Sequence, residues 1–306
     1  MEVMRARELE AVGQSARERA GLVRSGHLVR VRHGAYADRA EASAVDQHRR
    51  LLAGTAPLLG PSAVVSHASA GILHGLPVWE DTLGRVSVLR PPGSHGARRP
   101  HLHARSAPLS NKETTLIDGY RVTTLERTAV DLACCLGFER AVAVLDAALH
   151  AGASAHTLAE ILEQASRRHG VATARAAWTF ADARSESVGE SISRVRLRDA
   201  GLPTPELQVN IFDAIGAWLA RCDFGWLTRG VLGEFDGRMK YLGTPEEVGR
   251  TVMREKHREA QLRELGWVVV RWDWADLADR AALRRRVAAA FTQARPDAVR
   301  GSARPL

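Results

Sequence analysis

The order of apolar and polar positions lays out a series of short elements. Ser15-Ala16-Arg17-Glu18 has the form of a capping box, and the helix it opens carries Ala20, Leu22 and Val23 before Gly26 stops it. HLVRVRHGAYA then alternates, with Val29 and Val31 on one face, Arg30 and Arg32 on the other, and a turn at His33-Gly34. A helical unit followed by a ribbon with outward arginines outlines a winged helix over residues 1–40.

Residues 41–180 mix the two periodicities. A helix over 45–59 ends near Gly60-Pro61, and a short helix capped by Ser66 is stopped by Gly75 and Pro77. A strand at 85–90, a strand leading to a Thr124-capped helix, and Ala-rich helices near 138–150, 155–168 and 171–181 follow. Arg127 and Asp131 stand at i, i+4 and pair along their helix, which is structure rather than chemistry. A second S-x-x-E box, Ser187 to Glu190, opens a helix through Asp199 that Gly201 and Pro203 end.

The last third reads as a strand, an acidic hairpin, a helix from Pro245 to about Leu265, a buried strand at 267–274 and a helix at 276–293. Residues 296–306 read as a frayed tail. The expected class is α/β (α+β multidomain), divided into 1–40, 41–180, 181–295 and the flexible 296–306.

The hairpin, RCDFGWLTRGVLGEFDGRMKY from Arg221 to Tyr241, holds the most informative chemistry. A turn centred between Thr228 and Arg229 pairs residue i with residue 457 minus i, which sets Asp223 opposite Glu234, with Cβ atoms about 5 Å apart. Asp236 follows Glu234 at period two on the same face. Carboxylates held so close repel unless a cation lies between them, and a hard divalent ion with oxygen ligands is the usual solution. The competing reading is a solvated hairpin whose Asp236-Gly237 is only a turn. Glu190 has two readings as well: N3 partner of a cap, or a carboxylate projecting toward a metal.

Composition adjusts this picture modestly. Forty-three Lys and Arg against 35 Asp and Glu give +8 over 306 residues, a lean toward a polyanionic partner. Residues 1–40 hold eight Arg and five acids. There Arg17, Arg19, Arg24, Arg30 and Arg32 are the candidate DNA contacts. Between Arg85 and Lys112 there are six basic residues and no acid, either a phosphate-tracking stretch or a solvated loop. Cys134, Cys135 and Cys222 form no C-x-x-C, which favours a reducing cytoplasm, with Cys134-Cys135 in a helix core. No apolar run is long enough for a membrane span, so no membrane partner is expected. Nucleotide-binding glycine loops, zinc spacings and nucleophile elbows are absent.

Two resemblances extend the reading. SVGES, the acid before FGW, GEFDGRMKY, REKHREAQLRELGW and VVVRW, in that order over about 183–293, resemble the restriction-endonuclease-like (PD-(D/E)XK) fold, in the branch related to very-short-patch-repair endonucleases. The resemblance implies a mixed sheet flanked by helices and a Mg2+ (or Mn2+) site with Asp223 and Glu234 as principal ligands and Glu190 assisting. It also implies hydrolysis of a phosphodiester by a metal-activated water. The common pattern has acid-x-Lys on the second strand, whereas position 236 is Asp, so the basic role passes to Lys240 or Lys256, or is missing. Separately, GHLVRVRHGAYA, SHASAGILHGLP and GYRVTTLERTAVDLA resemble the AbiEi family of type IV toxin–antitoxin antitoxins. That implies a winged-helix DNA-binding domain, a mixed middle domain, a cognate toxin as partner, and a homodimer as often found among winged-helix repressors. The two functional expectations are a DNA-binding protein with a metal-dependent endonuclease domain, and a non-catalytic repressor that binds its own promoter.

Overall fold

The computed structural model describes residues 3–237 and 245–306. It is a mixed α/β chain that separates into two compact units, one formed by 1–136 with 152–175 and the other by 137–151 with 176–306.

The first unit opens with β1 (Val3–Arg5), α1 (Ala6–Ala11), α2 (Ala16–Arg24), β2 (Leu28–Arg32) and β3 (Ala35–Asp38). Ser15 accepts from the Glu18 N–H and Glu18 caps the Ser15 N–H in return, so the capping box forms as its sequence dictates. Gly13, at φ 88°, makes the turn between the two helices. The strands form a small sheet in the order β1-β3-β2 over Leu9, Leu28, Ala35 and Ala37, all buried. Pairing of β2 with β3 slips between Arg30 and Arg32, so strict alternation fails there. Val31 packs on the core while Val29 is 41% exposed.

The same unit continues through α3 (Ala44–Thr55), β4 (Val64–Val65), α4 (His67–His74), β5 (Val86–Arg90), β6 (Ala97–Arg99), β7 (Leu102–Ser106), β8 (Thr114–Ile117), β9 (Tyr120–Thr123) and α5 (Leu125–Ala133). The strands form one sheet, β6-β7-β5-β4-β9-β8. Arg127 and Asp131 pair at 2.9 Å as expected, and both are buried. Glu113 at 2.6 Å from Arg127 and Arg168 at 2.7 Å from Asp131 complete the network, which balances the buried charges. Cys134 is buried, but Cys135, expected in the core, is exposed because α5 has already ended.

α6 (Phe138–His150) belongs to the second unit, α7 (Ala155–Gln164) to the first, and the division falls within α8 (Val171–Phe180). Residues 41–180 are thus shared between the two units. α6 instead packs on α9 (Val188–Asp199). Arg194 reaches back to the fully buried Asp146 at 2.7 Å, an attachment between distant residues that local periodicity cannot show.

β10 (Glu206–Phe212), β11 (Trp218–Trp226), β12 (Val231–Phe235), β13 (Val268–Trp272) and β14 (Ser302–Pro305) form the second unit's sheet in the order β13-β12-β11-β10-β14. Only β12 and β13 run parallel. α10 (Pro245–Glu264) covers one face through Leu262 over Val209, Ile211, Cys222 and Leu232. α9, α11 (Trp274–Ala278) and α12 (Arg280–Gln293) cover the other, around Phe224, Trp226, Val231 and Trp272. The expected frayed tail is corrected here. β14 pairs with β10 from Val209↔Pro305 to Phe212↔Ser302, supplying the backbone partners that an edge strand lacks.

Among the described residues, no helix is long and apolar enough to cross a membrane.

Candidate functional site

The acidic hairpin forms with the anticipated register. Phe224 pairs with Gly233, Gly225 with Leu232 and Trp226 with Val231, each summing to 457. Gly230, at φ 68°, closes the turn. The expected common face for Asp223 and Glu234 does not follow, because both β10 and β11 change face at one rung. Leu207 and Phe224 belong to one core, whereas Val209 and Cys222, two residues away on each strand, belong to the other. Gln208 lies between them at φ 49°, a left-handed conformation that breaks the pleat. Asp223 is set opposite this kink, and its Oδ2 accepts the Phe235 N–H at 2.8 Å. The carboxylate thus occupies the gap between strands.

Glu234 points to the α10 side with Leu232 and is 4% exposed. It sits between two arginines. Arg258 of α10 donates to Oε1 at 2.7 Å, and Arg271 of β13 lies 2.6 Å from Oε2. The second contact is an ion pair. Arg271 also reaches Asp236 and Glu259, each at 3.4 Å. Burial lowers the Arg271 pKa, but attraction to Glu234, Asp236 and Glu259 outweighs it and holds the pKa above its ordinary value. Burial, with the Glu234 charge second, pushes the neighbouring Cys222 thiol up, so it stays protonated.

Glu190 accepts from Ser187 Oγ at 2.7 Å, the Glu186 N–H at 2.9 Å and Gln208 Nε2 at 2.8 Å. Ser187 Oγ caps the Glu190 N–H at 3.1 Å, but the Glu190 carboxylate takes the N–H of Glu186 and not that of Ser187, so the return half of the capping box is not made. Lys256 is exposed on α10, and Lys240 lies outside the described residues.

These donors do not fit a divalent ion as arranged. Glu234 is already balanced by two guanidinium groups, Glu190 is engaged by its cap and Gln208, and Asp223 holds a backbone N–H. Among the described residues, no group of three or more His, Cys, Asp or Glu side chains is placed to hold a metal. Sequence reasoning missed Arg271 and Arg258 as the partners of Glu234. The available signal was a charged residue inside the apolar run WVVVRW. Parallel pairing then aligns Arg271 with Glu234.

The candidate DNA contacts divide similarly. Arg17, Arg24 and Arg30 are exposed. Arg19 is 5% exposed and donates to Gln14 O at 2.6 Å, Ala6 O at 3.4 Å and Glu10 at 2.6 Å, so it ties α2 to α1 instead of facing outward. Arg32 is half-buried, with its aliphatic stem beside Gly54 of α3. The bulge after Arg30 turns it inward.

No family model matches the chain. Uncharacterized protein MT2308 of Mycobacterium tuberculosis (strain CDC 1551 / Oshkosh) is 35% identical over 251 residues, covering 81% of this chain and 86% of its own. Uncharacterized protein Rv2248 of the H37Rv strain matches to the same extent, 35% over 251 residues. Among solved structures, that of the RV2827C protein from M. tuberculosis aligns at a TM-score of 0.41 with 17% identity, over 63% of this chain and 75% of that one.

Proposed function

We propose that this chain, which belongs to the family of MT2308 and Rv2248, is a cytoplasmic, non-catalytic DNA-binding regulator of the AbiEi antitoxin type. In this reading residues 1–40 are a winged helix, with α2 as the recognition helix and β2–β3 as the wing. The second unit keeps a restriction-endonuclease-like framework without its metal chemistry, and a cognate toxin is the partner. The observation that carries the non-catalytic part is the clamp of Arg258 and Arg271 on Glu234 at 2.7 and 2.6 Å. A metal would have to displace both cations from a buried carboxylate. DNA binding is supported by the two helices joined at Gly13 and by exposed Arg17, Arg24 and Arg30, suited to phosphate contacts.

Two measurements test the proposal. Fluorescence anisotropy with DNA from the protein's own promoter, over a salt series, is expected to give a steep loss of affinity with salt. Arg24→Gln in the full chain should reduce that slope by about one unit, the effect of losing one phosphate contact. An unchanged slope in Arg17→Gln, Arg24→Gln and Arg30→Gln would remove the DNA interface from this surface. Calorimetric titration with manganese should give no heat that depends on Glu234. A site present in the wild type and lost in Glu234→Ala, with cleavage of DNA, would restore the endonuclease reading.

A further inference from the structure

The first unit holds a cavity of about 290 Å³ at the start of α4, roofed by β5, β6 and β7. Arg85, Arg98 and Arg105 line it together with His67 and His103, against the single carboxylate of Asp81. Asp81 is exposed. Asp131, whose charge reaches His67 and Arg105, is itself held by Arg127 and Arg168 at 2.9 and 2.7 Å. The cavity is therefore net positive.

Three features point to what it takes. Ser66 stands at the N-cap of α4 but makes no side-chain cap, and His67 and Ala68 of the first turn are among the residues lining the cavity. His67, only 8% exposed, lines the cavity, and its Nδ1 shares a hydrogen bond with Ser66 Oγ at 2.9 Å. Among the described residues its Nε2 has no hydrogen-bond partner. Arg105 also lines the cavity, and its Nη1 is buried with no hydrogen-bond partner. A buried guanidinium nitrogen without an acceptor is costly unless an anion completes it.

We propose that this cavity binds a terminal phosphate group, with Arg105, Arg98 and His67 as its contacts. The volume lies at the small end of ligand pockets, about 300–1,000 Å³, which suits a phosphate with a few further heavy atoms. The group comes from a small phosphomonoester or from the phosphorylated end of a nucleic-acid strand. Burial holds the His67 imidazole down at about 4, so it is neutral near pH 7. In the tautomer where the Ser66 hydroxyl donates to Nδ1, Nε2 carries the proton and is a donor.

The test is calorimetric titration of the full chain with inorganic phosphate, in the wild type, Arg105→Gln and Arg98→Gln. Saturable one-to-one binding, weakened roughly tenfold or more in either variant, is the expected result, since one charge-assisted hydrogen bond is lost. Arg98 is exposed, so its variant keeps the test decisive if Arg105→Gln does not fold. Competition separates the sources: displacement by a nucleoside 5′-monophosphate alone marks a small ligand, and displacement only by a 5′-phosphorylated oligonucleotide marks a strand end. The imidazole resonances of His67 should shift on phosphate binding. Absence of saturable binding, or equal binding in wild type and both variants, would overturn the proposal. The outcome is independent of DNA binding through α2.

Discussion

In β2–β3 the arginine at position 30 reaches solvent, and Arg17 and Arg24 of α2 do the same. In β11–β12, Glu234 is covered by α10, paired with cations from two elements, and 4% exposed. Both hairpins looked from sequence like charge presented for binding. They differ in how many layers cover them. The N-terminal sheet has three strands and leaves Arg30 exposed, whereas β12 is an inner strand with helices on both faces. A charge on an uncovered ribbon is available to a partner. A charge on an inner strand has to be neutralised by the chain itself.

The largest expected effect follows from that difference. Arg271→Ala strips one partner from a buried carboxylate and is expected to cost about 3–5 kcal/mol, as is usual when a buried pair is broken from one side. Glu234→Ala should cost less, because Arg258 and Arg271 are 28% and 23% exposed and can turn to water. Urea unfolding of the two variants measures the difference, and equal costs would show that Glu234 is not the member that burial penalises.

Packing on the opposite face sharpens the comparison. A Cβ on Gly189 of α9 would run into the Phe235 ring of β12. Gly189→Ala should therefore destabilise by about 1–3 kcal/mol through overpacking. Gly34→Ala, in the N-terminal turn at φ 75° with open space around it, meets only backbone strain and should cost about 1 kcal/mol. A larger loss at Gly34 than at Gly189 in thermal unfolding would reverse the expected order.

The two arginines of α2 separate a structural charge from an available one. Arg19→Ala loses charged hydrogen bonds to Gln14 and Ala6 and should cost about 1–3 kcal/mol without a specific change in salt slope. Arg17→Ala should leave stability within about 0.5 kcal/mol and weaken DNA binding instead. If Arg17→Ala unfolds as readily as Arg19→Ala, the exposed face of α2 is structural.

Much of the local structure was legible. Both S-x-x-E boxes open helices at Ala16 and Val188, and the helix expected at 138–150 spans those residues. The hairpin register followed from Gly230 and the flanking apolar residues. Caps and tight turns are local, decided by neighbours within four or five residues. The site was less legible. The 2.6 Å contact of Arg271 with Glu234 depends on a parallel pairing across 37 positions of sequence, and β14 joins β10 from almost 100 positions away. The face change at Gln208 and Asp223 was hidden because it leaves the pairing count intact while reversing which side each residue meets.

By itself, then, the sequence determined where helices start and stop, how the acidic hairpin pairs, and that arginines border the first ribbon. Tertiary structure decided which charges remain available. Whether Glu234, Asp223 or Arg19 faces solvent or a partner depends on what other segments lay against it. Coulomb interactions and desolvation act through space, between groups whose distance along the chain says nothing of their distance in the fold.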